Sequence, residues 1–384
     1  MGIFANVGVS VNVQDTLRKG RGDLGYLTDE IAGWNHTSAA NGGYLTAACN
    51  VVAHPNVIDE WLENGLGRWI TLNDEGGNVC WRGFVDQVSA NIAGLQIVRG
   101  PMTGIGNRAQ MVYSTVDTTT TPPTVGVRAR TTQTDDTASQ MLYGIWQKVL
   151  SCGGTTAADA AQVQALYLQE FSVPQTTKTL TMGGGGMSMS LNLKGAWYWL
   201  AAYIANFTTT GTTNLSSRLT GILALDPNGV FSTDYSNVTA NTYQVKAYSN
   251  DDKNGMSALT ELLTPGDAAF NRYTAGFYGQ EVMFYTAMPG ILEYITSLSD
   301  PNQEITRPSG VIVRPWEVQP AKWLQISDLM VGRSADVDPR DDPRNIFIEQ
   351  VTYTAPYGVQ LNGAKVGTLS QVLAQKGISG IGAG

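Results

Sequence analysis

Charge is scarce in this chain of 384 residues: Lys, Arg, Asp and Glu make up 15% of it, against roughly 25% in ordinary soluble domains. A monomer keeps itself in solution largely with Lys and Glu, so an undercharged surface points to one covered by other chains, the alternative being a neutral-surfaced secreted monomer. Histidine is rarer still. His36 and His54 are the only two and stand far apart, which excludes a His-rich metal site and leaves no support for a Ser-His-Asp triad. Cysteine is limited to Cys49, Cys80 and Cys152, an odd count without CxxC, so a disulfide framework is not expected and a cytosolic origin is. Long apolar runs are absent. The stretch WYWLAAYIANF at 197–207 falls short of the roughly 18 residues a membrane helix needs and reads as a core segment, so no membrane insertion is expected. The first residues lack a charged region before an apolar one and a small-residue cleavage site, and are not read as a signal peptide.

Basic charge is in deficit too, with 24 Lys and Arg against 32 Asp and Glu, a net charge of −8. Sequence-independent nucleic-acid binding needs a basic stripe that displaces counterions, and this balance disfavours it. The same balance fits an inert conduit for DNA, because like charges keep the polymer from sticking, and it equally fits plain solubility.

What the chain has in plenty is glycine, 43 residues, together with 42% hydrophobic residues, a turn-rich β composition. Residues 64–116 carry the pattern most openly. Trp69 to Leu72 reads as a strand, Glu75-Gly76-Gly77-Asn78 as a tight turn, Val79 to Val88 as the return strand, and Gly94 as the turn into Leu95 to Val98. Trp81 and Phe84 are three apart and fall on opposite faces unless a bulge intervenes, with Gly83 the candidate bulge. Arg68, Arg82, Asp86 and Gln87 interrupt the apolar positions, as on a sheet with one face on a core and the other on water or a neighbouring subunit.

A helical turn is expected at Asp59 to Leu62, and the Thr- and Pro-rich residues 115–126 form a loop. Two helices follow. Ala138, Met141, Leu142, Ile145 and Val149 form one stripe behind the capping cluster Asp135-Asp136-Thr137; Val163, Leu166, Tyr167 and Phe171 form another, and together they predict a helical hairpin. Gly183 to Gly186 lacks the Lys-Ser/Thr of a phosphate loop and reads as a hairpin loop between strands at 178–182 and 187–193. Helices are expected at Leu215 to Leu223 and Met256 to Leu263, then strands at 281–286, 291–297, 310–313, 322–326 and 346–353, then a last helix at 369–376 and a Gly-rich tail.

Chemistry is not signalled: GxSxG, HExxH and the EF-hand pattern are absent. Asp336, Asp338, Asp341 and Asp342 offer oxygens that suit Ca²⁺, but Arg340 and Arg344 interleave with them, so a self-compensated contact loop is the reading. The tryptophans are scattered through the strand and helix stripes, favouring packing over a sugar-binding platform.

Leu66-Gly67-Arg68, Trp81-Arg82-Gly83-Phe84-Val85, Gly276-Phe277-Tyr278, Arg314-Pro315-Trp316-Glu317-Val318, Asp341-Asp342-Pro343-Arg344 with Phe347-Ile348-Glu349, and Ala355-Pro356-Tyr357-Gly358 occur in this order along most of the chain. Together they resemble tail-tip or baseplate hub proteins of tailed bacteriophages. The resemblance implies a mainly β fold with α insertions, containing two tail-tube-like β-barrel domains. It also implies a homo-oligomeric ring, a trimer favoured and a hexamer the alternative, that surrounds the DNA channel and joins the tube to the tip. No cofactor, metal or catalytic residue carries over. The partners would be tube, distal-tail, spike or fibre proteins, with DNA only as passing cargo, and the location the virion tail. The domain expectation is a first barrel at 1–127, a helical hairpin insert at 128–175, a mixed segment at 176–290 and a C-terminal β segment at 291–384 that completes the second barrel. Expected packing or interface residues are Leu66, Arg68, Trp81, Phe84, Trp316, Arg340, Asp341, Asp342 and Arg344. A sixfold distal-tail or tube protein is the nearest alternative, and a carbohydrate-binding or glycoside-processing virion module the alternative of another class.

Overall fold

The computed structural model describes residues 10–363 except 28–29, 75, 118, 123, 183–184, 207–210, 247–251, 329–343 and 356–357. It is mainly β with helical insertions. The chain opens with β1 (Ser10–Thr16), β2 (Asp23–Tyr26), β3 (Glu30–Ala39), β4 (Gly42–Val52), α1 (Pro55–Asn64), β5 (Arg68–Asn73), β6 (Val79–Ile92) and β7 (Leu95–Arg99). Helix α1 starts at Pro55, whose fixed φ suits a first helical position, with the His54 side chain accepting from the Asn56 N–H. Its Ile58 and Trp61 are buried in the core beneath β4 and β6.

Strand β6 organises everything around it. Its first half pairs with β5, its second half with β7, and its other edge, from Phe84 to Ile92, with β13 (Met187–Lys194). The register shifts at Asp86, between Val85↔Leu193 and Gln87↔Asn192, so the expected bulge lies there and not at Gly83. Trp81 and Phe84 do occupy opposite faces: Trp81 enters one core with Ile70, Leu72 and Val85, Phe84 a second with Trp69 and Trp199. Gly83 has another reason. A Cβ there would lie 2.3 Å from the Lys194 carbonyl oxygen and 2.4 Å from the Trp81 ring, so glycine lets the indole fold over the strand while β13 runs close by.

Residues 108–171 give β8 (Arg108–Asp117), β9 (Thr124–Arg130), β10 (Thr134–Asp135), α2 (Thr137–Tyr143), β11 (Gln147–Thr155) and α3 (Ala157–Phe171). Asp136 caps α2, accepting from the Ser139 N–H at 3.1 Å. The expected helical hairpin is not there. Gly144, at φ 81, ends α2 after seven residues, and β11 then pairs in parallel with β8, so Ile145 and Val149 leave the apolar stripe. The faces differ as well: α3 buries Ala160, Gln164 and Leu168, leaving Val163 and Leu166 exposed. The small Ala160 lets α3 approach Met111 and Tyr113 of β8, and the Gln164 amide donates to the Ala109 and Thr132 carbonyls.

β12 (Thr176–Leu180) and β13 flank the glycine run but do not pair with each other, which corrects the hairpin reading; Gly183 and Gly184 lie outside the described residues. β12 takes the edge of β7, whereas β13, with Met189, Leu191 and Leu193 facing the core, fills the slot between β4 and β6. Within the expected core segment the structure has a 3-10 turn over Ala196–Ala202 that buries Trp197, Trp199 and Leu200. β14 (Thr212–Asn214), α4 (Leu215–Leu223), β15 (Gln244–Lys246) and α5 (Gly255–Leu263) complete the second core with β16 (Tyr273–Tyr278) and β17 (Val282–Ala287).

β18 (Leu292–Thr296), β19 (Ile305–Thr306), β20 (Ile312–Val313) and β21 (Trp323–Ile326) form a small sheet that continues through β22 (Asn345–Ala355) and β23 (Gly358–Gly363). β22 returns to pair with β3. The main sheet thus runs β12-β7-β6-β13-β4-β3-β22-β23, antiparallel throughout. Among the described residues no ladder joins its ends, so the expected barrels stand as open, bent sheets. The terminal helix at 369–376 lies outside the described residues.

Replacing Trp81, 0% exposed, with alanine is expected to cost about 3–5 kcal/mol in denaturant unfolding. Gly83→Ala should cost about 1–3 kcal/mol through overpacking. Unchanged unfolding midpoints would place the indole outside the core.

Candidate assembly surface

The residues singled out in the sequence divide three ways. Leu66, Trp81 and Phe84 are core. Arg68 is ion-paired with Glu60 of α1, and its guanidinium lies 5.2 Å from the centre of the Trp61 ring. Trp316 is half-buried, edge-on to Tyr353 at 6.0 Å and under the Arg314 guanidinium at 5.5 Å. Arg340, Asp341 and Asp342 lie outside the described residues, and of Arg344 the structure gives a half-buried residue whose carbonyl accepts from the Ile326 N–H.

A charge cluster that the sequence did not announce holds the two halves of the chain together. Glu281, 3% exposed, takes Arg21 Nη1 on one carboxylate oxygen at 2.6 Å and Arg82 Nε on the other at 2.8 Å. Both guanidiniums lie against Trp69, at 4.2 and 5.5 Å from a ring centre. Arg21 and Glu281 both sit in left-handed backbone, at φ 53 and 57, a conformation non-glycine residues adopt at some cost. Burial pulls the Arg21 guanidinium below its ordinary pKa, and Glu281 opposes that shift. Arg82 and Asp86, expected to face water or another subunit, are therefore satisfied within the chain, Asp86 by Lys194 at 2.9 Å. Their partners lie about a hundred residues or more away in sequence, where local patterning is silent.

A polar cavity of about 280 Å³ opens where the β5–β6 turn meets the C-terminal sheet, with His36, Tyr44, Cys80, Tyr278 and Trp316 among its walls. His36 Nδ1 accepts the Trp34 indole N–H at 2.9 Å, which puts the ring proton on Nε2. Burial pushes its pKa down to about 3 and the Cys80 thiol up to about 12. Near neutral pH neither a thiolate nor a base of useful strength forms there. The Tyr278 hydroxyl and the Trp316 indole N–H are buried without a protein acceptor, as groups that hold water often are. Among the described residues no cluster of His, Cys, Asp and Glu is arranged to hold a metal. Seven tryptophans expected as packing or platform, Trp61, Trp69, Trp81, Trp146, Trp197, Trp199 and Trp323, are all buried.

The open features are strand edges. β9 pairs only with β8, and β12 only with β7, among the described residues. Val125 and Val127 on β9 are 68% and 78% exposed, and Leu180 and Met182 at the end of β12 are 64% and 86% exposed. Met141 and Leu142 of α2 add apolar surface. Between β12 and β23 the outward pleat of the main sheet is uncharged, and hydroxyl and amide side chains alternate there with Ala48, Val52 and Val98. Ser188, Ser190 and Asn192 of β13 stand beside Asn91, Ser89 and Gln87 of β6, and Ser190 also beside Asn50 of β4. The pattern runs on through Gln96, Thr177 and Thr179 on one side and Asn35, Thr37, Thr352, Thr354 and Gln360 on the other. Charge returns at the margins, Glu30 at the start of β3 and Lys194 at the end of β13.

No protein-family model matches this chain, and no curated protein does. Among solved structures it is similar to the 43 kDa tail protein of prophage MuSo2 from Shewanella oneidensis, at 6% identity and a TM-score of 0.43, over 93% of this chain and 98% of that one. It is also similar to prophage tail protein gp18 from Listeria monocytogenes EGD-e, at 10% identity and a TM-score of 0.37, over 96% of this chain and 99% of that one.

Two predictions follow from the buried polar groups. Glu281→Gln leaves two largely buried guanidiniums without a counter-charge and should cost about 3–5 kcal/mol, whereas removing Glu293, the half-buried partner of the exposed Arg307, should cost less than about 1 kcal/mol; equal losses would refute the burial argument. For His36, whose pKa falls from 6.5 in the unfolded chain to about 3 in the fold, the unfolded state binds the extra proton between those values. Its contribution is complete above pH 6.5 and declines as pH falls through the window, at up to about 1.4 kcal/mol per pH unit. The melting temperature of His36→Gln should therefore vary less across this range than that of the wild type, and parallel curves would contradict it.

Proposed function

We propose that this chain is a structural subunit of a bacteriophage tail, a tip or baseplate-hub component that forms a ring around the DNA channel and has no catalytic activity of its own. The observation that carries the reading is the pair of free strand edges, β9 and β12, bearing exposed Val125, Val127, Leu180 and Met182 on a chain with only 15% charged residues. Such edges pair indiscriminately unless neighbours cover them, and closed rotational symmetry covers every edge and then stops. The ordered sequence motifs that resemble hub proteins supply the viral setting. The ring is a trimer or, as a tube or distal-tail protein would form, a hexamer; tube, distal-tail, spike or fibre proteins flank it, and the segments 1–127, 128–175, 176–290 and 291–384 are its proposed building units. The neutral His36 and the un-ionised Cys80 support a non-catalytic role, since the one polar cavity that holds both offers no activated group.

The test combines mass photometry with negative-stain imaging of the purified chain. Rings of threefold or sixfold order are expected, and Leu180→Lys with Met182→Lys should release subunits while leaving the melting temperature unchanged. Glycosidase or peptidase turnover abolished by one Asp or Glu substitution would replace this reading with the enzymatic one.

A further inference from the structure

We propose that the polar cavity between the β5–β6 turn and the C-terminal sheet is a binding site for one neutral sugar residue; the site belongs to the single subunit and stands apart from the ring reading. Four polar groups on its walls have no protein partner among the described residues. His36 commits Nδ1 to the Trp34 indole, which leaves its Nε2–H, and the Ser38 hydroxyl, the Tyr278 hydroxyl and the Trp316 indole N–H are unpaired beside it. His36 and Ser38 come from β3, Tyr278 from the end of β16, and Trp316 from the 3-10 turn Pro315–Glu317. A core avoids gathering unpaired polar groups from three distant segments, because each is costly to bury, whereas a binding site requires it.

The charged groups of the same walls are engaged elsewhere. Asp74 accepts from the Asn78 backbone and side-chain amides, Arg307 is paired with Glu293, and Glu317 accepts the Arg314 N–H. An anion in the cavity would lie against Asp74 and Glu317, and a metal cation would find no ligating cluster among the described residues. An apolar guest would leave all four groups stranded. What fits is a neutral molecule dense in oxygen, whose hydroxyls both donate and accept. A sugar ring is such a molecule: its oxygens take the His36 and Trp316 protons, its hydroxyls exchange bonds with Ser38 and Tyr278, and its C–H groups lie among aromatic walls that include Tyr44. Each hydroxyl also reproduces the bonds of a water that it displaces.

Size and electrostatics agree. At about 280 Å³ the cavity lies just below the roughly 300–1,000 Å³ of drug-sized sites, which gives room for one ring and not for a chain. With its pKa pushed down to about 3 by burial, His36 stays neutral near physiological pH, so the set of donors is constant there. No activated group stands among them, and the cavity holds its ligand without cleaving it.

The test is saturation-transfer NMR on the full chain with glucose, galactose, mannose, rhamnose and N-acetylglucosamine in turn, followed by titration of each sugar that responds. Expected is binding of at least one of them with a Kd of about 0.1–10 mM, the range open to a single small ring. Tyr278→Phe keeps the aromatic ring against Tyr44 and Phe284 and removes only the hydroxyl. It should weaken that sugar at least about fivefold at an unchanged melting temperature, and Ser38→Ala, the second variant should the first fold poorly, should do the same. Silence from all five sugars overturns the site. Binding that both variants leave untouched overturns it as well, by placing the sugar elsewhere on the chain, and displacement of the sugar by an equal concentration of inorganic phosphate would make the cavity an anion site instead.

Discussion

One strand has to serve two cores. β6 carries Trp81 and Val85 into one and Phe84 into the other, and β5 does the same with Ile70 and Trp69. A strand buried on both faces has no solvent pleat, so every polar residue it keeps must find a partner inside the chain. The bulge at Asp86 follows from this. By shifting register there, β6 leaves β5 for β7 and bends, which lets the first half divide two cores while the second half joins the open eight-stranded sheet. Trp69, Phe84, Trp199 and Trp146 then follow one another as tilted rings, successive centres 5.9, 5.3 and 4.7 Å apart, through the second core beside β5 and β6.

The cluster of Arg21, Arg82 and Glu281 is the electrostatic counterpart of that arrangement. An apolar residue at 82 would suit burial, yet the β1–β2 turn and the β16–β17 turn arrive there from opposite ends of the chain, and apolar contact alone fixes neither their direction nor their distance. A carboxylate accepting one guanidinium on each oxygen fixes both. Its Coulomb gain is set against the desolvation of three ions, so the cluster contributes little net stability while its partial removal costs much. The left-handed backbone at Arg21 and Glu281 belongs to the same bargain between local strain and long-range fit.

What was legible in the sequence follows the range of the interaction. The β5–β6 and β6–β7 turns, the Asp136 cap and the helices near 215 and 256 are local events, written in adjacent residues, and were legible. The strand at 147–155 was not, because Ile145 and Val149 continue a helical period by chance and only the β8 edge, some forty residues earlier, makes the segment extended. The pairing of β12 and β13 failed for a related reason: Met189, Leu191 and Leu193 have the alternation of a strand that fills a gap between two others, but nothing near the glycine run says which gap. Among site residues, Arg68, Arg82 and Asp86 were correctly seen as interruptions of an apolar pattern; Glu60 lies eight residues from Arg68, whereas Glu281 and Lys194, the partners of Arg82 and Asp86, were beyond reach of any local rule. The acidic loop around Asp341 and Asp342 lies outside the described residues.

Low charge and an unclosed sheet are usually treated as separate liabilities, one of solubility and one of aggregation. Here each accounts for the other. Among the described residues the sheet stops at β12 and β23, which leaves backbone donors and acceptors needing partners, and on the proposed reading neighbouring strands cover them, with Lys178 the one charged side chain on β12. The charges that the chain does bury are closed within it: Arg21 and Arg82 on Glu281, Asp86 on Lys194, and Arg68 on Glu60. On the proposed reading, electrostatics set the fold of the subunit, and strand edges and apolar side chains set its assembly.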